Sequence, residues 1–239
     1  MISPRITTTS SGAIIFDEDR VSEFSAEYFD VAYWQSRDLI ESQAYGRGST
    51  LIVQFQQQSW VLRHYLRGGL FGKVVNDSYL WLGQRRTRCF REWRLLADLV
   101  ELDLPVPKPV AARYIRRGRR YTADLITEKI PSVVTLASLI SENGQLTPQI
   151  WEAVGRCVRR FHEAGVYHAD LNAHNIMLEG NAQNVHIIDF DRGYFRPGDA
   201  WKQQNLDRLK RSLVKVAGSG KRDFGDGEWN HVLEGYNGT

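Results

Sequence analysis

Short stretches of apolar, β-branched and aromatic residues, separated by polar and glycine-containing turns, follow one another in the first half of the chain. Stretches of this kind over residues 39–45, 51–55 and 60–65 predict three β-strands, the first two joined by a glycine-containing turn. Residues 110–128 predict two more strands, one on either side of an arginine-rich turn at residues 116–118. The first half of the chain is therefore predicted to be rich in β-sheet.

Three stretches show the helical spacing of apolar residues, three and four positions apart. The first is residues 84–102, within the β-rich half. The second begins after Thr147, a typical N-cap, and ends before Gly165, a typical C-terminal stop. The third is residues 201–216, whose leucines share one face. We expect these leucines to pack in the protein core, with contact to a membrane surface as the alternative.

Two short apolar strands, residues 175–178 and 185–188, separate the second and third helices. This order of elements predicts an α+β fold with two lobes. Residues 1–127 would form a β-rich N-lobe with one main helix, and residues 128–239 a reduced, mainly helical C-lobe. The lobes are expected to meet near residue 128.

The chain has 239 residues and a mass of 27.5 kDa, enough for one large domain or two small lobes with a sizeable core. Its apolar runs are far shorter than the roughly 18 residues of a membrane span, and the first 19 residues lack the apolar run of a secretory signal. Two cysteines are too few for a disulfide framework or a cysteine-rich metal site. We therefore expect a soluble protein made in the cytosol.

The net charge of +3 is unevenly distributed along the chain. Residues 61–120 carry 14 basic and 5 acidic side chains, whereas the segments on either side are net negative. Of the 31 basic residues 24 are arginine, whose planar guanidinium suits phosphate and carboxylate groups. A solvated basic face, an anionic membrane surface or an anionic substrate would each explain this excess. Nucleic acid is disfavoured, because the sequence lacks zinc-finger spacing and RNA-binding motifs.

Residues 168–175 read H-A-D-L-N-A-H-N and fit the pattern H-x-D-L-x-x-x-N of a kinase catalytic loop. In phosphoryl transfer, an acidic residue accepts the proton of the attacking hydroxyl while a nearby amide oxygen holds Mg²⁺. The sequence assigns the first role to Asp170 and the second to Asn175. Asp189 follows the next apolar strand, so one hairpin could bring it to the same place as a second metal ligand. Ordinary loops contain the same residue types, but two such motifs in this order favour a phosphoryl-transfer site over ordinary loops.

Two segments of the predicted N-lobe are candidates to bind a nucleotide. Gly46, Arg47 and Gly48 lie between two predicted strands and could cradle phosphates, although a simple hairpin turn has the same composition. Further along, a buried strand runs into a predicted hinge, where backbone groups near Glu128 and Ile130 could pair with an adenine edge. These assignments concern ATP, the nucleotide that a kinase uses.

Arg63 occupies the strand position at which kinases of this pattern carry a lysine for the nucleotide phosphates. No lysine precedes Lys73, so either Arg63 or Lys73 must meet the phosphates. Arginine is the simpler choice, because its charge is permanent and its fork can bind phosphate through two hydrogen bonds. Glu92 is the helix carboxylate expected to orient it, with an ordinary solvated glutamate as the alternative.

Together these residues resemble the lipopolysaccharide-core kinases, a branch of the protein-kinase-like superfamily, and within them the enzymes that phosphorylate 3-deoxy-D-manno-octulosonic acid (Kdo). The resemblance rests on residues 61–69, 90–93, 168–175 and 189–191. It implies a protein-kinase-like fold and the use of ATP and Mg²⁺ to phosphorylate the 4-hydroxyl of the Kdo sugar on a lipid A precursor. It also implies peripheral attachment to the anionic cytoplasmic face of the inner membrane of a Gram-negative bacterium.

The implied acceptor carries carboxylate and phosphate groups. Four basic residues in or beside the glycine-rich segment and the following helix are candidates to bind it, each with a solvated position as the alternative: Arg67, Lys73, Arg88 and Arg91. Alanine directly precedes Asp170 where regulated kinases carry arginine, so we expect no regulation by a phosphorylated activation loop. About 40 residues follow position 198, too few for a peptide-docking subdomain, so we expect no protein substrate. A heptose kinase of the same superfamily is one alternative function. A catalytically inactive binding module is another, because the lysine is missing.

Overall fold

The computed structural model describes the chain over residues 2–45, 49–66, 77–143, 146–180, 184–219 and 223–238. Contacts between residues divide the chain into two compact units. Unit 1 comprises Met1–Glu101 and Pro107–Lys129, and unit 2 comprises Leu102–Val106 and Ile130–Thr239. The functional boundary after residue 127 stays a prediction.

Unit 1 contains an eight-stranded antiparallel sheet. In chain order its elements are β1 (Pro4–Thr8), β2 (Gly12–Asp17), α1 (Val31–Gln35), β3 (Ile40–Tyr45), β4 (Ser49–Phe55), β5 (Gln58–His64), β6 (Tyr79–Leu80), α2 (Arg88–Glu101), β7 (Pro109–Arg117) and β8 (Arg120–Glu128). The two helices lie between strands along the chain, one after β2 and one after β6. The sheet runs in the order β1-β2-β7-β8-β5-β4-β3, and β6 also pairs with β8. The predicted strands are confirmed as β3, β4, β5, β7 and β8.

The first two strands are not predicted by alternation of polar and apolar residues. β1 is exposed along its whole length, whereas five of the six residues of β2 are buried. A strand that is exposed on both faces, or buried on both faces, has no alternating pattern. A period of two in the sequence therefore does not predict either strand.

Successive side chains of β5 point to opposite faces of the sheet, because a strand has a period of two. On one face, Trp60 and Leu62 are buried in a core that includes Phe29 and Trp34. Arg63 is turned to the opposite face, where its guanidinium meets a side chain of α2. The same strand thus supplies core residues to one face and a charged group to the other.

Helix α2 confirms the helix predicted over residues 84–102, although it begins only at Arg88, after a 3-10 turn. Phe90 and Trp93 are buried. Glu92 is also buried and only 2% exposed. A carboxylate at that depth needs partners, because burying an unpaired charge is strongly unfavourable.

Unit 2 combines helices with two small antiparallel sheets. In chain order its elements are β9 (Val133–Thr135), α3 (Leu136–Asn143), α4 (Pro148–Glu163), β10 (Val166–Tyr167), β11 (Ile176–Glu179), β12 (Val185–Ile187), β13 (Tyr194–Phe195), α5 (Lys202–Ser219) and α6 (Asp226–Asn237). One sheet has the order β12-β11-β9, and the other is the pair β10-β13. The predicted second and third helices are confirmed as α4 and α5, and the predicted strand pair as β11 and β12.

Helices α4 and α6 approach each other at two glycines. A Cβ atom on Gly155 would lie 2.0 Å from the carbonyl oxygen of Val232, and one on Gly235 would lie 2.0 Å from that of Glu152. A larger residue at either position would push the two backbones apart. Glycine also lowers helix propensity, so the residues that permit this contact explain why the sequence pattern does not predict α6.

Helix α5 buries the leucines of its apolar stripe, Leu206, Leu209 and Leu213, in unit 2. The expectation that they pack in the protein core is confirmed. None of the helices in the described part of the chain has both the length and the apolar character needed to cross a bilayer.

Candidate active site

The catalytic-loop motif lies between β10 and β11 in unit 2, and its histidine ties two segments together. His168 is buried, its Nδ1 atom accepts the backbone N–H of Asp170 at 3.1 Å, and its Nε2–H donates to the carbonyl oxygen of Ile188 at 3.0 Å. Burial lowers the pKa of His168, so the ring is neutral at pH 7. Since the N–H of Asp170 can only donate, Nδ1 is the acceptor and Nε2 carries the proton.

Two asparagines hold the backbone of the loop at Asp170. The side-chain nitrogens of Asn172 and Asn175 donate to the carbonyl oxygen of Asp170 at 2.9 and 3.0 Å. The side-chain oxygen of Asn172 accepts the N–H groups of the two residues at the end of the loop, at 2.9 and 3.2 Å. The carboxylate of Asp170, which is 46% exposed, therefore projects from a loop that is held at several points.

The β11–β12 hairpin brings the two predicted metal ligands to one end. Ile176 pairs with Ile187 across the hairpin, and the N–H of Ile188 donates to the carbonyl oxygen of Asn175 at 3.0 Å. Asn175 and Asp189 thus flank the same end of the strand pair, as the sequence predicts.

The donor atoms at this end of the hairpin suit a hard divalent cation. The side-chain nitrogen of Asn175 is engaged by the loop backbone, so its Oδ1 atom faces the other way. Asp189 adds a carboxylate, and its φ of 66° lies in the left-handed region, which aspartate adopts more readily than most residues. Amide and carboxylate oxygens are the ligands that Mg²⁺ prefers. The residues present fit a magnesium ion.

Helix α5 presents three polar side chains to the catalytic loop. The side-chain nitrogen of Asn205 donates to the carbonyl oxygen of His168 at 2.7 Å, and Ser212 Oγ accepts a loop N–H at 3.0 Å. Between them, the guanidinium of Arg208 contacts the carboxylate of Asp170. None of these three residues is identified as functional from the sequence. The signal that could have found them is their spacing of three and four, which puts them on one face of the helix.

The hydrogen bonds of the loop continue into the interior of unit 2. The side-chain oxygen of Asn205 lies 3.1 Å from Nε2 of His162, and Nδ1 of His162 lies 2.9 Å from the hydroxyl of Tyr236. Burial lowers the pKa of His162 to about 4, so this ring is also neutral at pH 7. The catalytic loop is therefore joined by buried polar groups to α4, α5 and α6.

In unit 1, the structure brings Arg63 and Glu92 together, as the sequence predicts. The guanidinium of Arg63 contacts Oε2 of Glu92, and the hydroxyl of Tyr65 donates to the same oxygen at 2.5 Å. Arg63 also donates to the hydroxyl of Tyr65 at 3.2 Å. Burial, and secondarily the charge of Glu92, raise the pKa of Tyr65 well above its usual value, so the hydroxyl keeps its proton. Tyr65 is not predicted from the sequence, although it lies two positions after Arg63 and so on the same side of the chain.

The predicted acceptor-binding and phosphate-binding residues are described only in part. The guanidinium of Arg88 lies 5.7 Å from the ring centroid of Tyr65, beside this cluster, and Arg91 is exposed on α2. Five further candidates lie outside the described residues: Gly46, Arg47, Gly48, Arg67 and Lys73.

The predicted hinge residues fall on either side of the division between the units. Glu128 is the last residue of β8, and Ile130 belongs to unit 2. The carboxylate of Glu128 pairs with Arg20, and its backbone N–H donates to the carbonyl oxygen of Lys108 at 2.9 Å. Since that N–H is already used, a contact with adenine here would have to use other backbone groups. The assignment stays a prediction.

Comparison with known proteins connects this arrangement to one family. A model of the lipopolysaccharide kinase (Kdo/WaaP) family matches residues 31–236. A 3-deoxy-D-manno-octulosonic acid kinase of Stenotrophomonas maltophilia is 47% identical over 208 residues, which cover 87% of this chain and 82% of that protein. A protein of the same name from Photobacterium profundum is 43% identical over 223 residues, which cover 93% of this chain and 94% of that protein.

A solved structure described as WaaP in complex with acyl carrier protein is also similar. It has a TM-score of 0.58 and 17% sequence identity, and the match covers 87% of this chain and 86% of that one. At this identity the likeness concerns the fold, and it confirms the predicted kinase-like α+β class.

Proposed function

The chain belongs to the lipopolysaccharide kinase (Kdo/WaaP) family, and we propose that it transfers a phosphoryl group from ATP to the 4-hydroxyl of the Kdo sugar on a lipid A precursor. The names of its relatives support a phosphotransferase that acts on a sugar hydroxyl. One observation carries the proposal for this chain: the carboxylate of Asp170 projects, half exposed, from a loop whose backbone is held by several hydrogen bonds.

Asp170 is the residue that we assign to the sugar hydroxyl. Its carboxylate accepts a hydrogen bond from the hydroxyl, orients the oxygen and takes the proton as the bond to phosphorus forms. His168 and Asn175 keep the backbone of Asp170 in place. Arg208 contacts the carboxylate from α5, so we assign it the role of orienting Asp170. Positioning of this kind supplies much of the rate in phosphoryl transfer.

We assign the side-chain oxygens of Asn175 and Asp189 to Mg²⁺, which when bound neutralises charge on the triphosphate. In unit 1, Arg63 offers a permanent charge suited to phosphate. Glu92 and Tyr65 fix its guanidinium, so little reorganisation is needed when an anion arrives.

We assign nucleotide binding to the N-lobe, residues 1–127, and catalysis with metal binding to the C-lobe, residues 128–239. The phosphates of ATP would meet Gly46, Arg47 and Gly48 as well as Arg63, and its base the backbone near Glu128 and Ile130. The anionic acceptor would meet the basic candidates Arg67, Lys73, Arg88 and Arg91. An acceptor anchored in lipid supports peripheral attachment to the cytoplasmic face of the inner membrane.

The proposal is tested by offering two acceptors in parallel. The purified protein is incubated with ATP and MgCl₂, together with either Kdo–lipid A precursor or a heptosylated core, and the products are analysed by mass spectrometry. We expect one phosphate to be added to the Kdo acceptor. Phosphate on heptose alone would indicate the heptose kinase, and phosphate on neither acceptor would indicate an inactive binding module.

Asp170→Asn tests the assigned proton acceptor. The variant keeps the size and hydrogen-bonding shape of the side chain but loses its basicity, so we expect transfer to fall by about 10²- to 10⁴-fold. ATP affinity, measured by calorimetry with Mg²⁺ present, should stay within about twofold, because Asp170 acts on the acceptor hydroxyl. Asp199→Asn, at an exposed aspartate of the same unit, is the matched control and should leave both values unchanged. Wild-type turnover in Asp170→Asn would remove this residue from its role.

A further inference from the structure

Two leucines of unit 1 point into solvent beside β6. The rings of Tyr79 and Trp81 pack on tyrosines of β7 and β8, whereas Leu80 and Leu82 are 63% and 61% exposed. The period of two that turns the aromatic rings inward therefore turns the leucines outward. These are the two most exposed large apolar side chains among the described residues, and their position side by side is typical of a contact site.

Arginines surround the two leucines. β6 pairs with β8 through Leu80 and Arg120, which brings the leucines beside the turn between β7 and β8. Six arginines in this turn and after Leu82 are exposed: Arg85, Arg86, Arg116, Arg117, Arg119 and Arg120. Residues 78–91 and 104–123 contain no exposed aspartate or glutamate, since neither segment contains an acidic residue at all. We call the two leucines and six arginines the arginine–leucine surface.

The fold holds this surface in place. Arg120 donates to Oγ of Ser78 at 2.8 Å, and the backbone N–H of Trp81 donates to the carbonyl oxygen of Arg119 at 2.9 Å. The guanidinium of Arg116 lies 5.0 Å from the ring centroid of Trp81. Leu80 is thus presented by a paired strand, and Leu82 follows that strand after Trp81, whose ring packs on the sheet.

A pocket of about 430 Å³ opens beside the leucines. Its walls include the hydroxyl-bearing residues Ser10 and Ser11, the ring of Trp81 and the guanidinium of Arg116. Hydroxyl and guanidinium donors around an open pocket are the chemistry that binds a phosphate group. The pocket therefore offers room for an anionic headgroup next to side chains that favour acyl chains.

We propose that the arginine–leucine surface docks the protein on a bilayer of anionic phospholipid. Leu80 and Leu82 enter the boundary between headgroups and acyl chains, and the arginines contact lipid phosphates. The inference rests on the proposed function, because that function requires an acceptor anchored in lipid. Apolar side chains that leave water and cations attracted to anionic lipid together give peripheral attachment. Nucleic acid would engage the arginines but leave the leucines in water.

The arginine–leucine surface lies close in the chain to the helix that carries Glu92. Helix α2, which carries Glu92, begins six residues after Leu82. Docking would therefore hold the start of α2 near the lipid surface that contains the acceptor.

Cosedimentation with vesicles tests the proposal. Vesicles of phosphatidylethanolamine with phosphatidylglycerol are anionic, and phosphatidylcholine vesicles are the neutral comparison. We expect the wild type to prefer anionic vesicles and Arg117→Gln/Arg119→Gln to bind them at least tenfold more weakly, since each arginine near an anionic surface contributes roughly fivefold. That loss should shrink in about 0.5 M salt, because salt screens charge. Leu80→Ser/Leu82→Ser should weaken binding at either salt concentration.

Two variants of α5 are the matched controls, because α5 also carries exposed basic and apolar residues. Arg211→Gln/Lys215→Gln removes two positive charges, and Val214→Ser removes a side chain that is 48% exposed. Vesicle binding should stay within about twofold of wild type in both. Loss of binding in these variants, with normal binding in the unit 1 variants, would overturn the proposal.

Activity in detergent micelles separates docking from catalysis. With the Kdo–lipid A precursor supplied in micelles, the docking variants should turn over like the wild type. If the wild type is inactive in micelles, the proposed function is wrong. If the variants are active and still bind vesicles normally, the arginine–leucine surface does not dock on the bilayer. If the wild type binds poly-L-glutamate but not anionic vesicles, the surface recognises an acidic protein and the lipid proposal is wrong.

Discussion

Arg208 contacts the carboxylate of Asp170, which we assign to the sugar hydroxyl. We expect the loss of Arg208 to affect catalysis strongly and folding only weakly. The side chains of Arg208 and Asp170 are 43% and 46% exposed, and a pair of this kind contributes about 1 kcal/mol or less to folding. We expect Arg208→Gln to lower kcat by roughly 10- to 100-fold, because the carboxylate loses its orientation. The KM for ATP should stay within about twofold, as measured by steady-state kinetics.

Two further variants check this assignment. Arg208→Lys keeps a positive charge and should recover part of the lost kcat. Arg211→Gln removes the same charge from an exposed position three residues along α5 and should leave kcat unchanged. A raised KM for ATP with normal kcat in Arg208→Gln would instead indicate a contact with the nucleotide.

Tyr65 supports the buried carboxylate of Glu92, which in turn orients Arg63. Tyr65→Phe removes the hydroxyl that donates to Glu92 at 2.5 Å and keeps the ring. The buried carboxylate loses one hydrogen bond, so the free energy of unfolding should fall by about 1–3 kcal/mol. We also expect the KM for ATP to rise severalfold, since Arg63 is held less firmly. Denaturant unfolding and steady-state kinetics measure the two effects.

Tyr194→Phe is the matched control for Tyr65→Phe. Tyr194 is 42% exposed, so loss of its hydroxyl should change stability by less than about 0.5 kcal/mol and leave the KM for ATP unchanged. Equal effects of the two substitutions would show that Tyr65 has no special role.

Among the elements, α4 and α6 depend on the absence of side chains at their contact. Gly155→Ala places a Cβ atom 2.0 Å from the carbonyl oxygen of Val232, so the helices must move apart. We expect the free energy of unfolding to fall by about 3 kcal/mol, as for other overpacked contacts. Gly227→Ala on α6 is the control, because no atom lies within 4 Å of the added group. It should stabilise the protein by up to about 1 kcal/mol through helix propensity. Denaturant unfolding measures both variants, and an equal loss of stability in the two would contradict the packing explanation.

Helix α5 shows that one element can carry two patterns. Its leucine stripe predicts the helix and the side that enters the core, and both are confirmed. The polar residues Asn205, Arg208 and Ser212 follow the same helical spacing, but a polar face is ordinarily a solvated face. Only the loop packed against it shows that these side chains have partners.

For the molecule as a whole, the buried His162 couples stability to pH. Burial holds its folded pKa at about 4, below the ordinary 6.5, so between these values the unfolded chain binds a proton that the folded protein excludes. The contribution is complete above pH 6.5 and is lost as the pH falls towards 4, on the order of 3 kcal/mol in total. Unfolding free energies at pH 7 and 4.5 should therefore differ less for His162→Gln than for the wild type.

Two other histidines have shifted pKa values, and the comparison allows for them. Burial lowers the pKa of His168, so its contribution has the same sign as that of His162. The hydrogen bond to Asp124 raises the pKa of His64, so its contribution is opposite in sign and is lost as the pH rises. Both residues are present in the wild type and in His162→Gln, so their contributions cancel in the difference. An equal loss of stability in wild type and His162→Gln would show that His162 does not couple folding to pH.

Much of this protein follows from local sequence. Turn residues, helix caps and side-chain periodicity are properties of neighbouring positions, so the strands of residues 39–65, the helix after Thr147 and the β11–β12 hairpin could be predicted. The catalytic-loop pattern by itself also predicts the roles that we propose for Asp170 and Asn175. The family pattern pairs Arg63 with Glu92, 29 positions apart, and the two side chains meet.

The roles of other residues depend on tertiary packing. Tyr65, Asn205 and Arg208 gain their importance from partners that are 27 to 38 positions away in the chain, and their residue types are common on any surface. Gly235 weakens the helical signal of α6, although the contact of α6 with α4 requires it. Periodicity reports which side of an element is apolar, whereas the partner of a polar side chain depends on which distant segment comes to rest against it.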